Sequence, residues 1–314
     1  MGRWRISDID QARRPEPQNP LQRRETEPNG ADRGTRRGAS NESSSGIPKR
    51  PQQSGKTNCR RSEMPRVLPK DRDRTYSLRD SEIQAMSDIG RFRTLDARDL
   101  ARFAYGGNEP HMNQDLRNLR SLGLVEEKIV YRAHKEPRRI LALTEQGHRT
   151  LRSTESLPKD QRLYHGFVKR REINHDADLY RVYQKAVEEI HSQNGKPRNV
   201  RLDFELKAAV NRGKEAARRL PDEQRAKWLK AVTEQYGLTI KGTTIQVPDI
   251  QVEYETAEGD IARANLELVS ENYRGEAIRG KAESGFKVYA RGGDGNRVRR
   301  ALQDSGIVQE VLSI

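Results

Sequence analysis

The sequence is poor in the residues from which buried cores and cross-links are built. Only 32% of its 314 residues are hydrophobic, 5% are aromatic, and there is one cysteine, Cys59. A single cysteine forms no intrachain disulfide and no cysteine-rich zinc site. No apolar run approaches the ~18 residues of a membrane span, and the N-terminal MGRWRISDIDQARR lacks the apolar stretch of a signal peptide. We therefore expect a cytoplasmic protein that contacts no membrane and combines modest domains with a long unfolded segment.

Charge is abundant and is concentrated near the N-terminus. The chain carries 60 Lys and Arg against 46 Asp and Glu, a net charge of +14. Residues 1–75 hold 18 basic and 10 acidic residues, eight prolines and one aromatic, Trp4. This composition offers too little apolar surface to offset chain entropy, so residues 1–77 are predicted to be a disordered basic tail. One interpretation of the tail is an arm that binds phosphates in a salt-sensitive way. The alternatives are a linker, or a segment that is present only because of the assumed start codon, since Met64 offers a later start.

Residues 78–152 have the pattern of three helices followed by two strands and a closing helix. Helical spacing of apolar residues predicts the helices, the second capped by Thr94 and the third by Asn108. Two β-prone segments, Leu124–Ala133 and Arg138–Leu143, then flank a basic loop. This order resembles a winged helix-turn-helix domain, and the stretch RSLGLVEE…RRILALTEQG is especially similar to that family.

The third helix and the wing carry the candidate DNA-binding residues. Met112, Leu116 and Leu119 predict the buried stripe of the helix, and the polar face points the other way. Helix-turn-helix domains place such a face in the major groove, where it reaches base edges. The candidates for base contacts are Gln114, Arg117 and Asn118, and those for phosphate contacts are Arg132, Lys135, Arg138 and Arg139. The predicted partner is double-stranded DNA, and the alternative is that the winged helix binds another protein.

A polar connector, residues 153–164, leads to a second domain at 165–314. Its first helix includes His175, which we interpret as a structural residue near the helix start. The alternating segment that follows predicts a strand running through Asp203–Lys207, whose charged residues then share the solvent face. On that face Glu205 is a possible auxiliary metal ligand.

The most informative pattern is a predicted antiparallel hairpin centred on Glu258. This register pairs Ile250 with Leu266 and sets Asp249 opposite Glu267. A shift by one residue would oppose apolar to polar positions throughout, which a sheet with one buried face disfavours. Two opposed carboxylates are unfavourable unless a cation or a shared proton relieves them. A divalent metal with oxygen ligands, Mg²⁺ or Mn²⁺, would do so.

The order of the predicted elements resembles a known fold. With the charged stretch 208–235 treated as an insertion, the second domain opens as helix, three strands, helix and strand. Together with Pro248-Asp249 and Leu266-Glu267, this order resembles the PD-(D/E)xK restriction-endonuclease-like fold. The pairing with a winged helix, and the segment INHDADLYRVY, make the chain similar to the replication-relaxation family of plasmid and mobile-element proteins.

The resemblance implies an α/β chain of mixed α+β character. Its parts are the basic tail, an N-terminal winged helix, and a C-terminal restriction-endonuclease-like mixed sheet with flanking helices. It also implies protein partners in a replication or relaxation complex.

One residue departs from the nuclease pattern. Active members carry a lysine two residues after the second acidic residue, and Val269 occupies that position here. Valine neither positions water nor stabilises charge on phosphate. Lys281 is a candidate substitute, because nine residues of helix, ~13 Å at ~1.5 Å per residue, return it to nearly the level of Glu267. The alternative, which the sequence favours, is a lysine on the solvent face of the helix.

Two functions follow from this departure. We interpret the chain as a DNA-binding accessory protein whose nuclease-like domain is a non-cleaving platform, with no cofactor assigned. The alternative is an active Mg²⁺- or Mn²⁺-dependent nickase with catalytic Asp249, Glu267 and Lys281, in which the two carboxylates hold the metal. A third option is a transcriptional repressor whose second domain mediates oligomerisation.

Overall fold

Short strands precede the winged helix. The structure, a computed structural model, describes residues 66–71, 74–132, 135–154, 156–241, 244–269, 275–304 and 311–314. β1 (Arg66–Val67) pairs with β4 (Leu78–Arg79), and β2 (Lys70–Asp71) pairs with β3 (Arg74–Thr75). The sequence predicts a tail up to residue 77, but β1 to β3 lie within it, because the buried side chains of Tyr76 and Leu78 anchor this segment. The rest of the predicted tail, residues 1–65, lies outside the described residues.

The elements that follow form a winged helix, as predicted. They are α1 (Asp80–Arg91), β5 (Leu95–Asp96), α2 (Ala97–Ala104), α3 (Glu109–Ser121), β6 (Val125–Arg132), β7 (Lys135–Leu143) and α4 (Glu145–Arg152). β5, β7 and β6 form an antiparallel sheet in that order. The long β6–β7 hairpin is the wing.

Helix caps explain where α2 and α3 begin. Asn108 caps α3 as predicted, since its side chain accepts a hydrogen bond of 3.1 Å from the backbone N–H of His111. The predicted cap of α2 is wrong by two residues. Asp96, not Thr94, accepts the bond from the Arg98 N–H, at 3.0 Å, because Leu95 and Asp96 first pair with β7 as a short strand.

The C-terminal part is a mixed five-stranded sheet with helices around it. Its elements are α5 (Arg170–Ser192), β8 (Lys196–Leu202), α6 (Asp203–Ala217), α7 (Asp222–Tyr236), β9 (Thr239–Lys241), β10 (Thr244–Gln246), β11 (Ile250–Glu255), β12 (Ile261–Val269), α8 (Gly275–Glu283), β13 (Lys287–Ala290), α9 (Gly295–Gln303) and β14 (Val311–Ser313). The strand order is β14-β13-β12-β11-β8. β8, β11 and β12 run antiparallel to one another in turn, while β12, β13 and β14 are parallel. Among the described residues, no helix combines the length and the apolar character needed to cross a bilayer.

The first strand of this sheet is shorter than predicted. β8 ends at Leu202, and Asp203–Lys207 form the beginning of α6 rather than the solvent face of a strand. Glu205 sets this boundary, because its Oε1 accepts a hydrogen bond of 3.1 Å from the Leu202 N–H and so caps the helix. The apolar residues Leu202 and Leu206 are spaced by four, which fits a helix as well as a strand.

The register of the β11–β12 hairpin is the one predicted. Ile250 pairs with Leu266, Val252 with Ala264, and Glu253 with Arg263. Ile250, Val252 and Leu266 are fully buried, so a one-residue shift would bring polar neighbours into the core.

The winged helix and the sheet share one hydrophobic core. Phe92, which follows α1, packs its ring 5.3 Å from that of Tyr180 and 5.1 Å from that of Tyr183, both on α5. The predicted connector takes part in this packing. Gln161 is buried, and its side-chain amide both accepts from the N–H and donates to the C=O of Val200, each at 3.0 Å, as a neighbouring strand would.

Candidate functional site

The outer face of α3 is exposed to solvent. Met112, Leu116 and Leu119 are buried, as the predicted stripe requires. Gln114 and Arg117 are exposed on the other side of the helix. Nε of Arg117 donates to the backbone oxygen of Asn113 at 3.2 Å, which holds the guanidinium along the helix surface.

Asn118 differs from the prediction. Its Nδ2 donates to Oε1 of Glu82 at 2.7 Å, so the amide group is turned toward α1. Glu82 is buried and is also paired with Arg79 at 2.8 Å. Burial raises the pKa of Glu82, but the hydrogen bonds from Arg79 and Asn118 outweigh it and hold this pKa below its ordinary value. Asn118 therefore supports the packing of α3 on α1.

Arg138 is a buried structural residue, so its predicted role as a phosphate contact is wrong. Its side chain is 3% exposed, with Nε 2.7 Å from Oδ2 of Asp96 and Nη2 2.5 Å from Oδ1 of Asp178. Arg138 lies on the strand face of Ile140, which is also buried. This alternation is a sequence signal that places Arg138 inside rather than at the wing surface.

Arg139 lies on the opposite strand face from Arg138, and its guanidinium also has hydrogen-bond partners in the protein. Its guanidinium donates to Oε1 of Glu127 and to Oδ1 of Asn113, both at 3.0 Å, and its side chain is 39% exposed. It joins the wing to α3 and keeps part of its surface open. The other two wing candidates are untested, because the side chains of Arg132 and Lys135 lie outside the part that the structure describes.

The two acidic residues of the second domain are neighbours at the end of the hairpin. The N–H of Asp249 donates to Oε2 of Glu267 at 3.2 Å, and the N–H of Leu268 donates to Oδ2 of Asp249 at 2.9 Å. Asp249 is 8% exposed and Glu267 is fully buried. Each carboxylate therefore accepts a hydrogen bond from the backbone at or next to the other residue, so the two residues are neighbours, as the predicted register requires.

Lys281 reaches this acidic pair from α8. Its Nζ lies 3.1 Å from Oε2 of Glu267 and also donates to the backbone oxygen of Val247. Val269, at the strand position where the nuclease pattern has its lysine, is buried in an apolar cluster with Ile278 and Val288. The return of the helix lysine to the level of Glu267, estimated from helix and strand rises, is confirmed.

His175 is a neighbour of the acidic pair that the sequence did not reveal. Its Nε2 lies 3.5 Å from Oδ2 of Asp249, and its Nδ1 lies 3.6 Å from Oδ1 of Asp176. Burial lowers the pKa of His175, but the two carboxylates outweigh it and raise the pKa to about 10. The imidazole is therefore a cation at neutral pH. No local pattern signals this contact, since α5 and β11 meet only in the fold.

A second lysine, Lys207, adds positive charge near the acidic pair. Lys207 pairs with Asp203 at 2.5 Å on α6. Partial burial lowers the pKa of Lys207, but Asp203, Asp249 and Glu267 together raise it above the usual value. Glu205, the predicted auxiliary ligand, instead caps α6 and lies 3.6 Å from Nε of Arg162.

The acidic pair offers the donor type of Mg²⁺ or Mn²⁺ but not a complete metal site. These ions prefer oxygen ligands, and Mg²⁺ is commonly held by one or two carboxylates together with substrate phosphates. Asp249 and Glu267 would be those carboxylates. Within the described residues no group of three or more His, Cys, Asp or Glu could hold a metal. His175 and Lys281 approach the same oxygens and compete with a metal for them.

Comparisons with known proteins add little to this geometry. No family model matches the chain, and no curated protein matches it. Among solved structures, the chain is similar to Bacillus subtilis PadR in complex with operator DNA. The TM-score is 0.21 and the identity 14%, over 51% of this chain and 93% of that chain. We draw the winged-helix assignment from the order of helices and strands instead.

Proposed function

We propose that the protein binds double-stranded DNA through its winged helix. The supporting observation is that α3 buries its apolar stripe and leaves Gln114 and Arg117 exposed. Arginine donates two hydrogen bonds to guanine and glutamine makes a similar pair with adenine, so both suit the major groove. Arg132 and Lys135 remain the proposed phosphate contacts of the wing, and the net charge of +14 favours such contacts.

A binding assay with two variants tests this proposal. Fluorescently labelled duplexes of varied sequence are titrated with the full chain at several salt concentrations. Gln114→Ala with Arg117→Ala should reduce the preference among sequences, because each lost base contact removes ~1–3 kcal/mol of discrimination. Arg212→Ala is the matched control, since Arg212 is exposed on α6, away from α3. Unchanged sequence preference in the double variant would contradict the proposal.

We propose further that the C-terminal domain is a non-cleaving platform. The ammonium of Lys281 and the imidazolium of His175 already compensate Glu267 and Asp249. Because these cations offset the repulsion between the two carboxylates, both can stay ionised without a metal. The resemblance to replication-relaxation proteins supports a role in the replication or relaxation of a plasmid or other mobile element.

The biological role can be tested on such an element. Its copy number and supercoiling are compared with the wild-type gene, with the gene deleted, and with the Gln114→Ala, Arg117→Ala variant. Loss of the gene and loss of the α3 contacts should have the same effect if DNA binding is the operative activity. No change in either measurement would exclude the role.

A second candidate function is metal-dependent cleavage of DNA. The observation that favours it is the 3.1 Å distance between Nζ of Lys281 and Oε2 of Glu267. Asp249 and Glu267 would hold Mg²⁺ or Mn²⁺, which when bound would polarise a phosphoryl oxygen and acidify a water. The Lys281 ammonium would stabilise the charge that develops on the phosphate.

Incubation of supercoiled plasmid with purified protein and Mg²⁺ or Mn²⁺ separates the two candidates. Nicking that is abolished by Asp249→Ala would establish the nuclease. Asp260→Ala is the control, because Asp260 is an exposed carboxylate on the loop of the same hairpin. Absence of nicking with either metal would support the platform.

A further inference from the structure

A cleft lies between the wing and the C-terminal domain. Its volume is about 620 Å³. Arg98 of α2 and Tyr131 of β6 line it from the winged helix, and Arg181 of α5 lines it from the other domain. The loop after β13 completes the wall with Arg291, Gly292 and Gly293.

The lining of the cleft holds more basic than acidic side chains. Four arginines and two aspartates line it. The two acids, Asp96 and Asp178, are both bound by the buried Arg138 beneath the cleft. Burial raises the pKa of Asp178, but its contacts with Arg138 and Arg291 outweigh burial and hold this pKa below its ordinary value. The acids are thus already compensated.

The other three arginines remain partly open to solvent. The side chains of Arg98, Arg181 and Arg291 are exposed by 54%, 31% and 35%. Arg291 binds Asp178 through Nε and Nη2 at 2.8 Å, an arrangement that fixes the guanidinium plane. Arg98 pairs with Glu136 at 2.8 Å and Arg181 with Asp99 at 2.7 Å. Each arginine is thus held by a carboxylate, and its exposed part lies along the cleft.

The turn after β13 holds two glycines that neither φ nor close packing requires. Gly292 and Gly293 have no left-handed φ. A Cβ on Gly293 would meet nothing within 4 Å, and one on Gly292 only Oγ of Ser313 at 4.0 Å. Glycine also serves where a ligand approaches the backbone closely. Side chains on these two residues would project into otherwise open space.

We propose that this cleft binds a backbone phosphate of the duplex that the winged helix holds. The proposal rests on the proposed DNA binding and adds a contact from the second domain. The N–H groups that the guanidinium groups keep free can donate to phosphate oxygens, and the bare backbone of Gly292 and Gly293 lets the phosphate approach. Tyr131, 74% exposed on the wing, lines the same cleft. One DNA molecule then contacts both parts of the chain.

Two variants of the full chain test the cleft by different means. Arg291→Ala removes a donor. Gly293→Leu adds an uncharged side chain whose Cβ meets nothing within 4 Å. Each should weaken binding to a labelled 30-base-pair duplex several-fold. The slope of log Kd against log salt concentration should become shallower by about one, the change for one lost phosphate contact. Arg212→Ala removes the same charge outside the cleft and should retain the slope.

The outcomes separate the cleft from the winged helix. If Gln114→Ala with Arg117→Ala alters binding while Arg291→Ala and Gly293→Leu leave affinity and slope unchanged, the cleft proposal is overturned and the proposed function stands. If the wild-type chain binds no duplex, both fail.

Inorganic phosphate in place of DNA is the remaining arm, with thermal stability as the readout. Phosphate alone could stabilise the wild type as much as the duplex does, with no such effect in Arg291→Ala. That result would identify a small-anion site and overturn the DNA contact. Stabilisation by the duplex but not by phosphate supports it.

Discussion

Arg138 shows how a single buried cation can join two parts of a chain. Its guanidinium bridges Asp96 at the start of α2 and Asp178 on α5, and all three side chains are nearly inaccessible. Removal of one partner from such a group leaves the others as uncompensated buried charges, which is strongly destabilising.

Arg138→Ala should therefore lower the free energy of unfolding by about 3 to 5 kcal/mol. Arg139→Ala, which removes a half-exposed pair with Glu127, should cost about 1 kcal/mol or less. Denaturant unfolding of both variants measures the difference. Equal effects would contradict the buried role of Arg138.

Glu82 gives the protein a defined sensitivity to acid. Its pKa is lowered in the folded state, so its contribution to stability is present above the ordinary value of 4.5 and is lost as pH falls through the lower folded pKa. Glu82→Gln should cost about 2 kcal/mol at pH 7, the scale of hydrogen bonds to a charged group. The gap to wild type should close below pH 4.5.

Urea unfolding at pH 7, 5 and 3.5 measures this dependence. Glu145→Gln, on an exposed carboxylate of α4, is the control and should change stability little at any pH. A gap between wild type and Glu82→Gln that stays constant over this range would exclude the proposed linkage.

At the scale of elements, α8 is held on the sheet by a charged contact as well as an apolar one. Lys281 binds the fully buried Glu267, while Ile278 packs among buried residues of the neighbouring strands. Lys281→Met should destabilise the protein by about 3 kcal/mol, because Glu267 then keeps a buried charge without its ammonium partner.

Arg279→Met provides the matched change on the same helix. Arg279 pairs with Glu283 at the surface, so this variant should cost less than about 1 kcal/mol. Thermal unfolding of the two variants is the measurement. A loss of stability in Arg279→Met as large as in Lys281→Met would show that the buried pair has no special weight.

The hairpin and the boundary of α6 show what a sequence can predict here. The β11–β12 register follows from sequence because both strands alternate and only one pairing sets Ile250, Val252 and Tyr254 opposite apolar residues. The boundary between β8 and α6 does not, because Leu202 and Leu206 satisfy both periodicities and a cap from Glu205 decides between them. The approach of Lys281 to Glu267 follows from element lengths alone. The contact of His175 with Asp249 joins elements far apart in sequence and has no local signature.

At the scale of the molecule, the shared core predicts cooperative unfolding. Phe92 is fully buried between the winged helix and α5, where it touches Tyr180 and Tyr183. Phe92→Ala should cost about 3 to 5 kcal/mol. Since both parts depend on this contact, amides of β6–β7 and of β11–β12 should lose protection together.

Hydrogen exchange measured by mass spectrometry follows both regions at once. Val298→Ala is the control, because Val298 belongs to a separate apolar cluster around α9. It should affect exchange near α9 before that of the wing. Loss of protection confined to the winged helix in Phe92→Ala would mean that the two parts unfold independently.

The aromatic contact of Phe92 with α5 also governs how the protein can be dissected. A cut in the segment between α4 and α5 would leave Phe92 on one fragment and Tyr180 and Tyr183 on the other. Each fragment would then expose an aromatic surface that is buried in the intact chain. The separately produced fragments would therefore aggregate. The two parts of the chain therefore depend on each other for solubility, and neither is suited to use on its own.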